Sequence, residues 1–164
     1  MRLHVLTAVT RPQNIPAIWE SINSDWQGDW QVHWHVYQER LEAVGGQRVK
    51  NQMLNTCVGG WVYILDDDTL MHPDLLKRTS DVLYENPKAD AILFGRIEGG
   101  NTFMPELRVG LIDVGQAMLR RSLIGKHRIP HQYDGDGQLL TEVVPQARQA
   151  IYLNEPLSFY NRLR

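Results

Sequence analysis

The chain has 164 residues, 43% of them hydrophobic, which is enough for one well-buried domain and too short for two of ordinary size. Its formal net charge of −2 supplies no global field for nucleic acid or an anionic membrane, so a polyanionic ligand has to be held by local groups. No apolar stretch approaches the ~20 residues of a bilayer span, and the first strand begins at Leu3 without a signal-peptide pattern, so a soluble, cytoplasmic protein without a membrane span is expected.

Leu3 to Val9 forms the first predicted strand, with Thr10-Arg11-Pro12 as the turn after it. Asn14 precedes Ile15, Ile18, Trp19 and Ile22 at helical spacing, and Pro16 falls in the first turn, where proline is tolerated. Trp26 and Trp30 are expected to pack around the entry to a second strand, in which Val32, Trp34 and Val36 alternate with His33, His35 and Tyr37. His33 and His35 have the spacing of two metal ligands on one strand face, but with no carboxylate or cysteine partner evident they read as surface. A polar stretch from Gln38 to Gln47 leads into a helix that turns Val49, Met53 and Cys57 inward. The lone Cys57 excludes an intramolecular disulfide and reads as core packing. Arg48, Lys50 and Asn51 lie near the start of this helix, where cations oppose the helix dipole. They are either a solvated basic face or the neighbours of a bound anion.

Trp61, Val62, Tyr63, Ile64 and Leu65 are apolar on both faces, as in the central strand of a covered parallel sheet, and the run ends in Asp66, Asp67 and Asp68. Ligands of such sheets bind beyond the carboxyl ends of the strands, and three adjacent acids there repel one another unless a cation lies between them. A hard divalent ion with oxygen ligands meets that need, and Asp66 and Asp68 project the same way if extended geometry persists to the strand end. Leu75, Leu76, Thr79, Val82 and Leu83 fit a helix ended by Asn86-Pro87, and Ala89 to Gly95 a buried strand. The predicted order is β-α-β-α-β-α-β, a doubly wound α/β half. Beyond it, Gly95 to Pro105 reads as a mobile loop, Arg108 to Val114 as a strand, Gln116 to Leu123 as a short helix and Ile151 to Tyr160 as extended.

These motifs, in this order, resemble those of the GT-A glycosyltransferases. Asp66-Asp67-Asp68 resembles their Asp-x-Asp signature, and Arg48-Val49-Lys50-Asn51 the basic-residue-plus-Asn motif of family 2 enzymes. The triple Asp is also similar to that of animal glucuronyltransferases. Ile112 to Arg120 resembles the acceptor-side segment, Tyr133 to Leu140 stands in the place of the Glu-Asp motif, and Glu155-Pro156-Leu157 with Tyr160-Asn161-Arg162 resembles the closing strand. The resemblance implies an α/β GT-A fold, a Rossmann-like nucleotide-diphospho-sugar transferase with a mostly parallel central sheet flanked by helices. It implies a single domain over 1–164, with a nucleotide-binding half at 1–95 and an acceptor half at 96–164, forming a minimal catalytic unit.

The implied activity is metal-dependent transfer from a UDP-sugar to a carbohydrate or other hydroxyl acceptor, with inversion. The implied ligand of Mn²⁺ or Mg²⁺ is Asp68, aided by Asp66, with His131 (or His127) as an additional contact and Asp67 in support. Ala8, Val9, Thr10 and Arg11 would line the nucleoside pocket, Gln38 or Glu39 would replace the usual acid that reads the base, and Arg48, Lys50 and Asn51 would serve the diphosphate. Asp136 is the implied catalytic base, with Asp134 and Glu142 as alternates. Two other readings fit the acidic motif: a haloacid dehalogenase-like phosphatase using Asp66 as nucleophile and Asp68 as acid/base, and a nucleotide-sugar binding module without turnover.

Overall fold

The computed structural model describes residues 1–23, 28–39 and 46–164; Trp26 and the polar stretch 40–45 lie outside them. Strand β1 (Arg2–Val9) is followed by a 3₁₀ turn at Pro12–Asn14 and helix α1 (Ile15–Ile22), then β2 (Gln31–Gln38), α2 (Gln47–Thr56) and β3 (Trp61–Ile64). These are the expected elements. β1 pairs in parallel with β2 on one side and β3 on the other, so their carboxyl ends share one edge. The run after β3 differs from expectation: the amide of Thr69 bonds to the carbonyl of Asp66, and this turn stops the extended geometry before the acids. Asp66 and Asp68 therefore do not project together.

A short strand β4 (Leu70–Met71), helix α3 (Leu75–Glu85) and strand β5 (Ala91–Glu98) come next. The segment expected to be a mobile loop is instead a hairpin. Gly99 and Gly100 both have positive φ, +56° and +84°, which a two-residue turn requires, and they join β5 to β6 (Asn101–Phe103). Arg108 to Val114 is not a strand: the amides of Leu111 and Ile112 fold back onto the Arg108 carbonyl, and a 3₁₀ turn follows at Val114–Gln116. The predicted helix at Gln116 to Leu123 is replaced by strand β7 (Ala117–Arg120) and a single turn, α4 (Arg121–Ile124). Ala-Met-Leu-Arg has good helix propensity, but pairing on both sides overrides it, since β7 lies antiparallel between β3 and β5. Helix α5 (Gly135–Val143) and strand β8 (Ala150–Phe159) complete the fold. The sheet order is β2-β1-β3-β7-β5-β8-β4, with β6 on β5. The second half of the chain is thus built into the first half's sheet.

Apolar residues cover the sheet on both faces. Leu6, Ala8, Val62 and Ile64 pack with Val49, Met53 and Leu54 of α2 and with Leu139, Leu140 and Val143 of α5. Leu3, Val5, Trp61 and Tyr63 pack with Ile18 and Ile22 of α1 and with Leu75, Leu76, Val82 and Leu83 of α3. Each fully buried side chain of this kind contributes about 1.5–3 kcal/mol. Trp30 belongs to the second core, donating its indole N–H to the Leu76 carbonyl at 2.9 Å. Cys57 caps α2 after its last helical residue, buried and hydrogen-bonded to the Met53 carbonyl.

Gly135 sets how closely α5 approaches the sheet edge. A Cβ there would lie 2.1 Å from the Pro130 carbonyl oxygen, a rigid backbone atom. Gly135→Ala is expected to cost about 1–3 kcal/mol by overpacking, seen as a fall in Tm of roughly 2–4 °C per kcal/mol in a thermal melt. An unchanged Tm would show that α5 is not held at this distance.

Candidate active site

A cleft of about 520 Å³ opens at the carboxyl ends of β1 and β3. The β1 end contributes Ala8, Thr10 and Arg11, α2 contributes Gln47 and Lys50, and the turn after β3 contributes Asp66, Asp67 and Asp68. From the second half come Arg96, Asp113, Asp134, Asp136, Tyr160 and Arg164, with Tyr133 almost wholly exposed at the rim. Sequence reasoning passed over Arg96, Asp113, Tyr160 and Arg164 as site residues. Arg96 reaches the cleft from β5, and the fold-back at 108–112 and the return of β8 bring the other three.

At the floor, the buried Lys50 ammonium lies 2.7 Å from Asp66 Oδ1 and 3.3 Å from Asp136 Oδ2. Burial alone disfavours its charge, but Asp66, Asp136 and Asp113 outweigh this and hold Lys50 above its ordinary value. One carboxylate oxygen each from Asp66, Asp113 and Asp136 lies within 4.8 Å of the other two. Burial pushes Asp66 up despite Lys50, with Asp136 and Asp68 adding repulsion. Asp113 is pushed up to about 7, first by burial and then by Asp66 and Asp136. Its carboxylate also accepts the Gly115 amide at 2.7 Å, which fixes its orientation. Asp136 Oδ1 is buried without a hydrogen-bond partner among the described residues.

The other two acids of the triplet have different surroundings. Asp67 accepts the Thr10 amide (2.6 Å) and hydroxyl (2.8 Å), the Arg11 amide (2.6 Å) and the Arg11 guanidinium (2.6 Å). Burial raises its carboxyl, but these donors prevail and hold it below the usual range. Asp67 thus ties the end of β1 to the turn after β3. Asp68 is bound by Arg164 at 2.7 Å and by Arg11 at 3.3 Å, and lies outside the acidic trio. The expected direct metal ligand is therefore engaged by two arginines, and Asp113 stands in the trio in its place.

The remaining predicted residues divide clearly. Val9 is buried at the end of β1, and Glu39 lies beside it, its amide bonded to the Val9 carbonyl; neither lines the cleft. Arg48 points outward from α2. Asn51 does not face the cleft either: its amide both donates to and accepts from the Ile129 backbone, at 2.8 and 2.9 Å, and so clamps the segment before α5 to α2. His131 is exposed and does not line the cleft, and Glu142, paired with His127 at 2.9 Å, does not line it either. Asp134, which accepts from Gln132 at 3.1 Å, remains at the cleft.

No protein-family model and no curated protein matches the sequence. Solved structures do match the fold. TarS of S. aureus superimposes with a TM-score of 0.76 at 13% identity, over 97% of this chain and 36% of that one. TarS 1–349 in complex with UDP-GlcNAc gives 0.73 at 11% identity, over 96% and 57%. A mannosyltransferase of Pyrobaculum calidifontis in complex with GDP-Man and Mn²⁺ gives 0.70 at 13% identity, over 98% and 56%. The fold is that of the GT-A glycosyltransferases. A glycosyltransferase involved in glycosylating the major capsid of PBCV-1 is matched over 97% of this chain and 92% of its own, with a TM-score of 0.55 at 13% identity. The chain spans 60% or less of the TarS and mannosyltransferase chains. Similarity to the animal glucuronyltransferases does not appear among these structures.

Two measurements test the electrostatics of the floor. Asp113 binds its proton more tightly when folded (about 7) than when unfolded (3.8). Its charge therefore costs no stability below about pH 4 and costs progressively more as pH rises to about 7. In metal-free protein, Asp113→Asn is expected to raise Tm at pH 8, with the difference vanishing towards pH 4; an unchanged Tm at pH 8 would refute the assignment. Lys50→Met removes the cation the acids share and is expected to cost about 3–5 kcal/mol, read from chemical denaturation.

Proposed function

We propose that the chain is a nucleotide-sugar-dependent glycosyltransferase with Asp136 as catalytic base. The observation that carries this reading is the convergence of Asp66, at the end of β3, and Asp136, at the start of α5, on Lys50 at the floor of one cleft. The fold of nucleotide-sugar enzymes and this arrangement point to the same edge of the sheet. The structural neighbours bind UDP-GlcNAc, UDP and GDP-Man, so the donor is taken to be a sugar on a nucleoside diphosphate, UDP being the first candidate.

Charge decides what must accompany the donor. Among the described residues, four cations line the cleft, Arg11, Lys50, Arg96 and Arg164, against six carboxyl groups, Asp66, Asp67, Asp68, Asp113, Asp134 and Asp136, of which burial raises Asp66 and Asp113. A diphosphate entering this field alone is repelled, whereas one accompanied by a divalent cation is not. Asp66 and Asp113 offer the all-oxygen ligands that suit a hard ion such as Mn²⁺ or Mg²⁺, with Asp68 able to join if the diphosphate takes over its arginines and Asp136 kept as the base. When bound, such an ion neutralises charge developing on the departing diphosphate.

The chain's own residues supply the rest. Arg11 and Arg164, the former anchored by Asp67 and the latter by Asp68, lie where phosphate oxygens would compete with the carboxylates. Ala8 and Thr10 line the wall beside the β1 end, where the nucleoside would lie. The Asp136 carboxylate, oriented by Lys50 through Oδ2, accepts the proton of the acceptor hydroxyl, and the acceptor oxygen attacks the anomeric carbon opposite the leaving group, inverting it. Exposed Tyr133 offers a ring face to the acceptor at the rim.

In a donor screen with Mn²⁺ and Mg²⁺, isothermal titration is expected to show a nucleoside diphosphate binding only when metal is present, with Asp66→Asn abolishing it. Asp136→Asn should keep that binding and lose about 10²–10⁴-fold in turnover, measured as transfer or donor hydrolysis. Metal-independent binding would refute the role of the acids, and near-normal turnover in Asp136→Asn would refute the base. Rapid hydrolysis of p-nitrophenyl phosphate lost in Asp66→Asn would support the phosphatase reading instead.

A further inference from the structure

A second cluster of metal-binding side chains lies away from the cleft. His4 on β1, His35 on β2 and Cys57 between α2 and β3 each present one ligand atom, all within 4.8 Å of one another. None of them lines the cleft. The parallel register explains the meeting. His4 is opposite His33 and Leu6 is opposite His35, so alternation puts all three histidines on the α2 face of the sheet, where Cys57 ends that helix.

Three details bear on this cluster. His4 Nδ1 and His35 Nε2 lie 2.9 Å apart and share a hydrogen bond, so both nitrogens are already turned into the cluster. His4 is 94% buried, and its Nε2 has no hydrogen-bond partner, although the Val58 carbonyl acts on the ring from the backbone. A ring with one nitrogen ligating would use the other for such a carbonyl, the usual outer support of metal-bound histidine. Burial raises the Cys57 thiol above its ordinary value against the pull of the nearby Arg121, a cost to the thiolate that a bound cation would offset.

We propose that His4, His35 and Cys57 form a binding site for a borderline-soft divalent cation, Zn²⁺, separate from the hard-ion chemistry of the cleft. Two imidazole nitrogens and one sulfur with no carboxylate match Zn²⁺ and disfavour Mg²⁺. Zn–N and Zn–S bonds of ~2.0–2.3 Å place tetrahedral ligand atoms roughly 3.3–3.7 Å apart, so side-chain rotation that brings the sulfur inward closes the site. A water would complete the shell, or His33 after a change of rotamer, its ring centroid lying 5.6 Å from that of His4. Arg2, which donates to the Val58 carbonyl at 3.2 Å, is the opposing charge, and the Cys57 thiolate offsets it. The bound ion would join the edge strand β2 to β1 and to the connection entering β3.

Co²⁺ added to the reduced, metal-free full chain is expected to produce thiolate-to-cobalt charge-transfer absorption at one equivalent, and Zn²⁺ to abolish it. Cys57→Ser should lose the band, and His35→Gln, at a half-exposed position, should weaken binding at least about tenfold, both with wild-type far-UV circular dichroism. Asp66→Asn should bind Co²⁺ at this site as wild type does, which separates it from the cleft. Absence of the band in the wild type, or a band of unchanged affinity in His35→Gln, would overturn the proposal.

Discussion

The buried ammonium of Lys50 is the interaction on which the site depends. It is attached to α2, yet its partners belong to the turn after β3 and to the first residues of α5. Without a cation there, Asp66, Asp113 and Asp136 would be three carboxylates held in low dielectric against their mutual repulsion. With it, two of them remain strained enough that burial still raises them. The floor of the cleft is therefore preorganised and electrostatically incomplete, a condition that favours an incoming cation and gives the proposed base a defined position before any substrate arrives.

The acidic triplet divides its labour in a way that follows from the turn at Asp66–Thr69. Asp66 faces the cleft floor, Asp67 is consumed by the amides and side chains of Thr10 and Arg11, and Asp68 engages Arg164. One carboxylate is available, one is architectural, and one keeps a guanidinium at the mouth. The same sequence on a straight strand would have put Asp66 and Asp68 on one side.

The first half of the fold was legible in the sequence because its elements carry strong local signals: an apolar run at 61–65, helical stripes at 15–22 and 75–83, and alternation at 32–36. The acids at the strand end were legible for the same reason, whereas the place of Lys50 was not: it was expected beside a diphosphate or in solvent, and its burial between Asp66 and Asp136 depends on how α5 docks. The second half was not, since β7 is a strand only through its neighbours and the 108–116 segment has no periodic pattern. Asp113 was invisible as a site residue because its role comes from a fold-back that brings it beside Asp66 and Asp136. The pairing of His35 with His4 and Cys57 was likewise missed, since register between parallel strands is a tertiary property.

The position of β7 has a consequence for how this chain reaches its native state. β3 lies next to β1 on one side, but its other edge is filled only by residues more than fifty positions downstream, which also pair with β5. A sheet joined by its late-arriving central strand has contacts of large sequence separation, and such topologies close slowly. During synthesis the apolar edge of Trp61–Ile64 stays open until Ala117–Arg120 emerges, so the strand that leads into the acids is meanwhile exposed to pairing with the wrong partner.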